Sequence, residues 1–121
     1  MPDYLLEKAI PPGQTTVSVP INQSNSSYCW EVEQITVTYG NQTDNPQVTI
    51  TKNGVPYAPT AILVPGPNGN QSQTFAGLPY LYVKSSDDAE IVITSGTAGA
   101  TVTVFAQYRE YLATDPAVYG R

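Results

Sequence analysis

The stretch Glu90–Tyr111, EIVITSGTAGATVTVFAQYREY, constrains this chain more than any other. Ile91 and Ile93 point one way and Val92 and Thr94 the other, while Val102, Val104, Ala106 and Tyr108 make a second alternating row with Phe105 opposed. A period of two belongs to a pleated strand and to no helix. The turn between the two runs, SGTAGA, is small and permissive, so the stretch reads as a long antiparallel hairpin. Both faces carry apolar side chains. The hairpin is therefore expected to sit centrally, covered by a second sheet and a crossing arm or by a neighbouring subunit.

The rest of the chain repeats the pattern. Tyr4–Ile10 is stopped by Pro11-Pro12-Gly13 and reads as an N-terminal arm or edge strand. Thr15–Val19 alternates until Pro20 and the polar run NQSNSS. Tyr28–Tyr39 changes phase midway: Tyr28, Trp30 and Val32 share one face, whereas Ile35, Val37 and Tyr39 would fall on the other. A one-residue slip flips every side chain, so a bulge or sharp bend is expected near Glu33–Gln34 to keep both sets on the core.

Gln47–Lys52 alternates again, and Asn53-Gly54 supplies the left-handed backbone of a two-residue hairpin turn. Val55–Ala61 should return antiparallel as an edge strand, because Pro56 and Pro59 remove ladder donors. Ile62–Val64 runs into PGPNGNQSQ, which reads as a long polar loop. Thr74–Ala76 and Tyr80–Lys84 follow as short strands around Gly77-Leu78-Pro79, and Ser85–Asp88 is a tight acidic turn. The tail LATDPAVYGR has no periodicity and reads as an extended arm.

Roughly eight or nine short strands with no helical period predict an all-β protein. The expected architecture is a single antiparallel two-sheet sandwich, jelly-roll in preference to immunoglobulin-like because a Cys pair is missing. Residues 1–12 are an N-terminal arm or edge strand, 13–111 the sandwich, and 112–121 a C-terminal arm.

Chemistry is bounded by what the chain holds. With 121 residues it is one domain, and a net charge of -5 with only five Lys and Arg leaves no basic stripe for nucleic acid. Histidine is absent and Cys29 is the sole cysteine, so neither an internal disulfide nor a His-activated nucleophile can be built. Cys29 reads as a small buried apolar residue beside Trp30. The start MPDYLLEKAIPPG lacks a basic n-region and no run is long enough to span a bilayer, which gives the expectation of a soluble product made without Sec export.

The acidic cluster Asp87, Asp88 and Glu90 would need carbonyls from GNQTDN and PNGNQS to hold calcium, and reads first as a soluble strand end. Asn-X-Ser/Thr sequons at Asn22, Asn25, Asn41 and Asn70 fall in loops. No metal, cofactor or catalytic group is expected. Nine tyrosines, with Trp30, are more aromatic surface than such a core hides easily. Two uses follow, packing in an assembly or a sugar-stacking platform, the latter placed on Tyr57, Tyr80 and Tyr82.

The bulged long strand, the Asn-Gly hairpin and the closing DDAEIVITSGTAGATVTVFAQYREY together resemble small β-sandwich structural proteins of tailed bacteriophages. The resemblance covers roughly residues 14–111 as a style of sequence, carried most by an acidic turn, an alternating strand, a Ser/Gly/Thr/Ala turn and the ending Tyr-Arg-Glu-Tyr. It implies a non-enzymatic virion component, most of all a capsid decoration or minor capsid protein. Its partners would be the major capsid protein or other virion subunits, and its form a homo-oligomer such as a trimer. Terminal segments would order on neighbours, with Tyr4, Leu5, Leu6, Tyr111 and Tyr119 as partner contacts. The alternative is a carbohydrate-binding module of a tail or fibre with a host glycan as partner. Neither reading involves nucleic acid or a membrane.

Overall fold

The computed structural model describes residues 3–40, 46–56, 61–62, 64–65, 71–94 and 96–118, with the side chains of residues 61–73 and 76–80 outside that description. All regular structure among them is β. In chain order the strands are β1 (Asp3–Ala9), β2 (Val17–Ile21), β3 (Tyr28–Tyr39), β4 (Gln47–Lys52), β5 (Val55–Pro56), β6 (Ala61–Ile62), β7 (Val64–Pro65), β8 (Gln71–Lys84), β9 (Ala89–Thr94) and β10 (Thr101–Leu112). One sheet runs β1-β10-β3-β8-β7. The other runs β2-β9-β4-β5, with β6 also paired to β4.

The pairings have a simple origin. Asp3 faces Gln107, Val17 faces Ile93, Gln34 faces Ala76 and Gln47 faces Ile62, all antiparallel, so the numbers of each pair add to 109 or 110. The chain is one long antiparallel ribbon folded about the Asn53-Gly54 turn and then wound so that its successive pairs alternate between two sheets. Those pairs are β1 with β10, β2 with β9, β3 with β8, and β4 with β5 and β6. This is the strand order of a jelly roll, as expected from the sequence.

The apex of the ribbon is the turn the sequence predicts. Asn53 and Gly54 have φ of 53° and 79°, and Lys52 pairs with Val55 across them. Two successive left-handed residues match the twist of the flanking strands. Over its described length the return strand, β5, ends its sheet, as the missing ladder donor of Pro56 requires.

The hairpin expected at Glu90–Tyr111 is not formed. β9 lies between β2 and β4 in one sheet, and β10 lies between β1 and β3 in the other. The link between them arches across the end of the sandwich beside the β1–β2 link. Ile10 N–H donates to Ala100 O at 3.0 Å, Gly99 N–H to Ile10 O at 3.0 Å and Gly96 N–H to Thr15 O at 2.9 Å, so the ribbon stays paired through the crossing. Gly96 leaves no room for a Cβ, which would run into the Ile10 side chain and the Tyr39 hydroxyl. That hydroxyl accepts the Thr97 N–H at 2.8 Å. Both strands are nonetheless internal to their sheets, as their two-faced apolar pattern demands.

The bulge falls where the phase change predicts. On the β10 side Val32 faces Tyr108 and Gln34 faces Gln107, so Glu33 is the extra residue. On the β8 side Val32 faces Leu81 and Gln34 faces Ala76, which leaves residues 77–80 opposite Glu33. The two short strands read around Gly77-Leu78-Pro79 are therefore one strand with an irregular middle, and it begins already at Gln71, inside the segment read as loop. The re-phasing keeps Val32, Ile35, Val37 and Tyr39 together in the core.

That core is the space between the sheets. Val17, Val19, Ile21, Val48, Ile50, Ile91 and Ile93 meet Val32, Ile35, Val37, Tyr39, Leu81, Val83, Val102, Val104 and Ala106, all buried. Each Val, Ile and Leu among them stabilises the fold by roughly 1.5–3 kcal/mol through burial.

Both segments read as arms lie against the sandwich over their described lengths. Residues 3–9 are an edge strand on β10, and Tyr4 and Leu6 pack against the core. After Leu112 the chain turns back: Ala113 N–H donates to Ser27 O at 2.8 Å, Asp115 N–H to Leu112 O at 2.9 Å and Val118 N–H to Asp115 O at 3.0 Å. Val118 is fully buried. The absence of periodicity signals irregular backbone, and a single apolar residue is enough to dock it.

Candidate functional site

The surface divides along the outer face of the β1-β10-β3-β8 layer. Below the bulge this face carries Cys29, Tyr82 and Tyr111, and Val118 closes over them as a second small apolar cluster. Cys29 is buried and free, as the sequence suggests. Burial pushes its thiol above the ordinary value, with the Lys84 and Lys52 charges opposing. Beside this cluster Arg109 and Glu33 form an ion pair at 2.7 Å, so the bulge residue is held by the strand it fails to pair with.

Above the bulge no described residue of the same face is buried. Leu5, Phe105, Thr36 and Thr74 face one another in a row across four strands. The Thr36 and Thr74 hydroxyls share a hydrogen bond at 3.2 Å. Leu5 is 66 % exposed and Phe105 half-buried. Flanking rows place Thr103 and Thr38, then Gln107 and Gln34, on either side. Among the described residues, charge appears on this half at the β1 edge, in Asp3 and Glu7. A face of hydroxyls and amides around an apolar pair, ending at a strand with no further neighbour in its sheet among the described residues, has the composition of a contact surface.

A second grouping was not foreseen from the sequence as a unit. Trp30 stacks on Tyr108 with centroids 4.1 Å apart, and Tyr4 leans on Trp30 at 6.0 Å. The Tyr4 hydroxyl donates to Pro20 O at 2.7 Å, and burial pushes it above the ordinary tyrosine value. Trp30 Nε1 donates to Glu110 Oε1 at 3.2 Å. These rings pack against the core and cover one another's faces. They close the open side of the sandwich between β1 and β2, where Lys8 Nζ also reaches Ser18 O at 2.9 Å.

The acidic turn has a structural task. Asp87 accepts from Lys84 N–H at 2.9 Å and from Asn53 Nδ2 at 3.1 Å, and faces Lys52 Nζ at 3.7 Å. Asn53 in turn accepts the Asp88 N–H at 2.8 Å, and its own N–H donates to Asp88 O at 2.8 Å. The 85–88 turn is thus clasped to the apex of the ribbon. Burial alone would raise the Asp87 carboxyl, but the Lys84 amide, the Asn53 side chain and the ammonium groups of Lys52 and Lys84 outweigh it and hold the carboxyl below its usual value. Among the described residues no group of three or more Cys, Asp and Glu side chains is placed to hold a metal ion.

The residues singled out from sequence scatter. Tyr4 and Leu6 turn inward, Leu5 outward, and Tyr111 joins the cluster under Val118. Tyr82, expected as an exposed stacking ring, is 7 % exposed beneath the C-terminal segment, so it offers no face to a sugar. Tyr57 and Tyr119 lie outside the described residues, as does the side chain of Tyr80. The row centred on Phe105 was named in sequence only as the outer face of the hairpin. The alternation of Thr with one Phe carried the signal, but nothing local says which neighbours share the row.

No protein-family model and no curated protein matches the chain. Among solved structures, a chain of infectious bursal disease virus, Gt strain, aligns with 98 % of this chain and 32 % of its own length, at 15 % identity and a TM-score of 0.35. The chain thus spans about a third of that relative. The N-terminal cellulose-binding domain of β-1,4-glucanase C from Cellulomonas fimi aligns with 92 % of this chain and 80 % of its own length, at 16 % identity and a TM-score of 0.37. Likeness of this degree carries no role across.

Proposed function

We propose that this chain is a non-enzymatic structural protein of a bacteriophage virion, working as a capsid decoration or minor capsid protein that binds the assembled shell in many copies. The observation that carries the reading is the half-face centred on Leu5 and Phe105, on which no described residue is buried, continuous with β1, the last described strand of its sheet. Its partner surface would be neutral at the centre and basic at the rim, opposite Asp3 and Glu7. The mechanism is mass action: a protein that binds the assembled lattice better than free subunits stabilises the shell by RT ln(1 + [L]/Kd).

The test is to add purified protein to capsids that lack it, and to count bound copies by electron microscopy. Wild type should decorate in a fixed ratio and Leu5→Asp should not, while keeping the wild-type circular dichroism spectrum. Absence of wild-type binding to any such capsid overturns the reading. The glycan-binding alternative loses its central ring with Tyr82 buried.

A further inference from the structure

The Asn53-Gly54 turn is both the apex about which the whole ribbon folds and an exposed Asn-Gly dipeptide. Gly54 has no side chain to shield its amide, and nothing lies within 4 Å of where a Cβ would stand. What restrains the dipeptide is the clasp. Asn53 Nδ2 is committed to Asp87 Oδ1 at 3.1 Å and Asn53 Oδ1 to the Asp88 N–H at 2.8 Å, so both ends of the side-chain amide are held by the 85–88 turn.

We propose that Asn53 is a self-modifying site, converted by water to aspartate and isoaspartate at a rate set by the clasp, and that conversion opens the clasp. In the first step hydroxide removes the Gly54 amide proton and the nitrogen attacks Asn53 Cγ. The Cγ–Nδ2 bond breaks, and Nδ2 leaves as ammonia after taking a proton from water, which closes a five-membered imide. In the second step water adds to one of the two ring carbonyls and the C–N bond at that carbonyl breaks, the nitrogen regaining its proton. Addition at Cγ gives aspartate. Addition at the main-chain carbonyl gives isoaspartate, whose backbone runs through Cγ. No electron is exchanged, and water is the only co-reactant.

Either product undoes the apex. A carboxylate has no donor for Asp87 Oδ1, so two negative oxygens replace a hydrogen bond at the same place. Isoaspartate also adds one carbon to the backbone, and a turn that holds Lys52 opposite Val55 with only two left-handed residues has no slack for it. The Lys52–Val55 and Thr51–Pro56 pairs are the first affected.

Full-length protein is incubated at neutral and mildly alkaline pH, and Asn53 is followed by peptide mapping and mass spectrometry. The Asn68-Gly69 dipeptide of the same chain is read in the same digest as the reference. Asn53 should convert more slowly in buffer than in urea. Asp87→Ser, which frees Nδ2, should convert about fivefold faster than wild type relative to Asn68, the factor carried by one hydrogen bond. Asn53→Asp, made directly, should melt at a lower temperature than wild type. Equal Asn53 rates for folded wild type and a folded Asp87→Ser protein overturn the proposal, as does an Asn53→Asp protein that melts with wild type. If Asp87→Ser does not fold, equal wild-type rates in buffer and in urea overturn it instead.

Discussion

Val118 is the nail that holds the C-terminal segment down, and cutting it back should release that segment before it unfolds the protein. Val118→Ala removes two methyl groups from a fully buried site. The transfer loss is about 1.6 kcal/mol at ~0.8 kcal/mol per buried carbon, and the space left behind raises the total to about 2 kcal/mol. Among the described residues, the one backbone hydrogen bond of 113–118 that reaches outside the segment and the strand end it leaves is Ala113 N–H to Ser27 O. The lost energy therefore comes out of a local opening. A change of about 2 kcal/mol makes that opening roughly 30-fold more frequent. Cys29 is the reporter, because it is the chain's sole cysteine, it lies under Val118, and burial keeps its thiol protonated while the segment is closed. Its rate of labelling by a thiol reagent should rise by that factor in Val118→Ala while the far-ultraviolet circular dichroism is unchanged. The reasoning is refuted if Cys29 labels at the same rate in both proteins, or if wild-type Cys29 already labels as fast as in denaturant.

Three other outcomes are expected. Gly96→Ala forces a methyl into the buried Ile10 side chain and the Tyr39 hydroxyl, and should cost about 1–3 kcal/mol, seen as a lower urea midpoint at unchanged slope. The Asp87 carboxyl is held below its ordinary value in the folded state, so it contributes stability above the unfolded value of about 3.9, and that stability is lost as pH falls through the folded value. Wild type should accordingly outlast Asp87→Asn in thermal melts by a constant margin from neutral pH down to about pH 5, and the margin should close in acid. Deleting Glu33 removes the bulge and sends either the Val32 side or the Ile35–Val37–Tyr39 side of β3 to solvent, so the deletion protein should show no cooperative thermal transition.

Much of the fold follows from local chemistry. Alternation marks β2, β3, β4, β9 and β10 because the pleat has a period of two. Asn53-Gly54 marks the apex because only such residues take two left-handed conformations in succession. Glu33 marks the bulge because an unbroken strand could not put both Trp30–Val32 and Ile35–Tyr39 inward. The candidate site was less legible. Tyr82 looks like its neighbours in sequence, and only the return of residues 113–118 over the sheet decides that it is covered.

The sequence by itself determined that the chain is β, where β3 bends and the Asn53-Gly54 turn falls, and which side chains of the alternating strands face the core. Tertiary structure alone decided that β9 and β10 belong to different sheets, that Val118 closes over Cys29, and that Leu5, Phe105, Thr36 and Thr74 form one row. The reason is that strand edges are made of backbone, which is the same in every residue. Side-chain alternation selects a face within each strand, but a partner is chosen by which pairing lets all the apolar faces meet at once, and that condition is satisfied only by the whole wound ribbon.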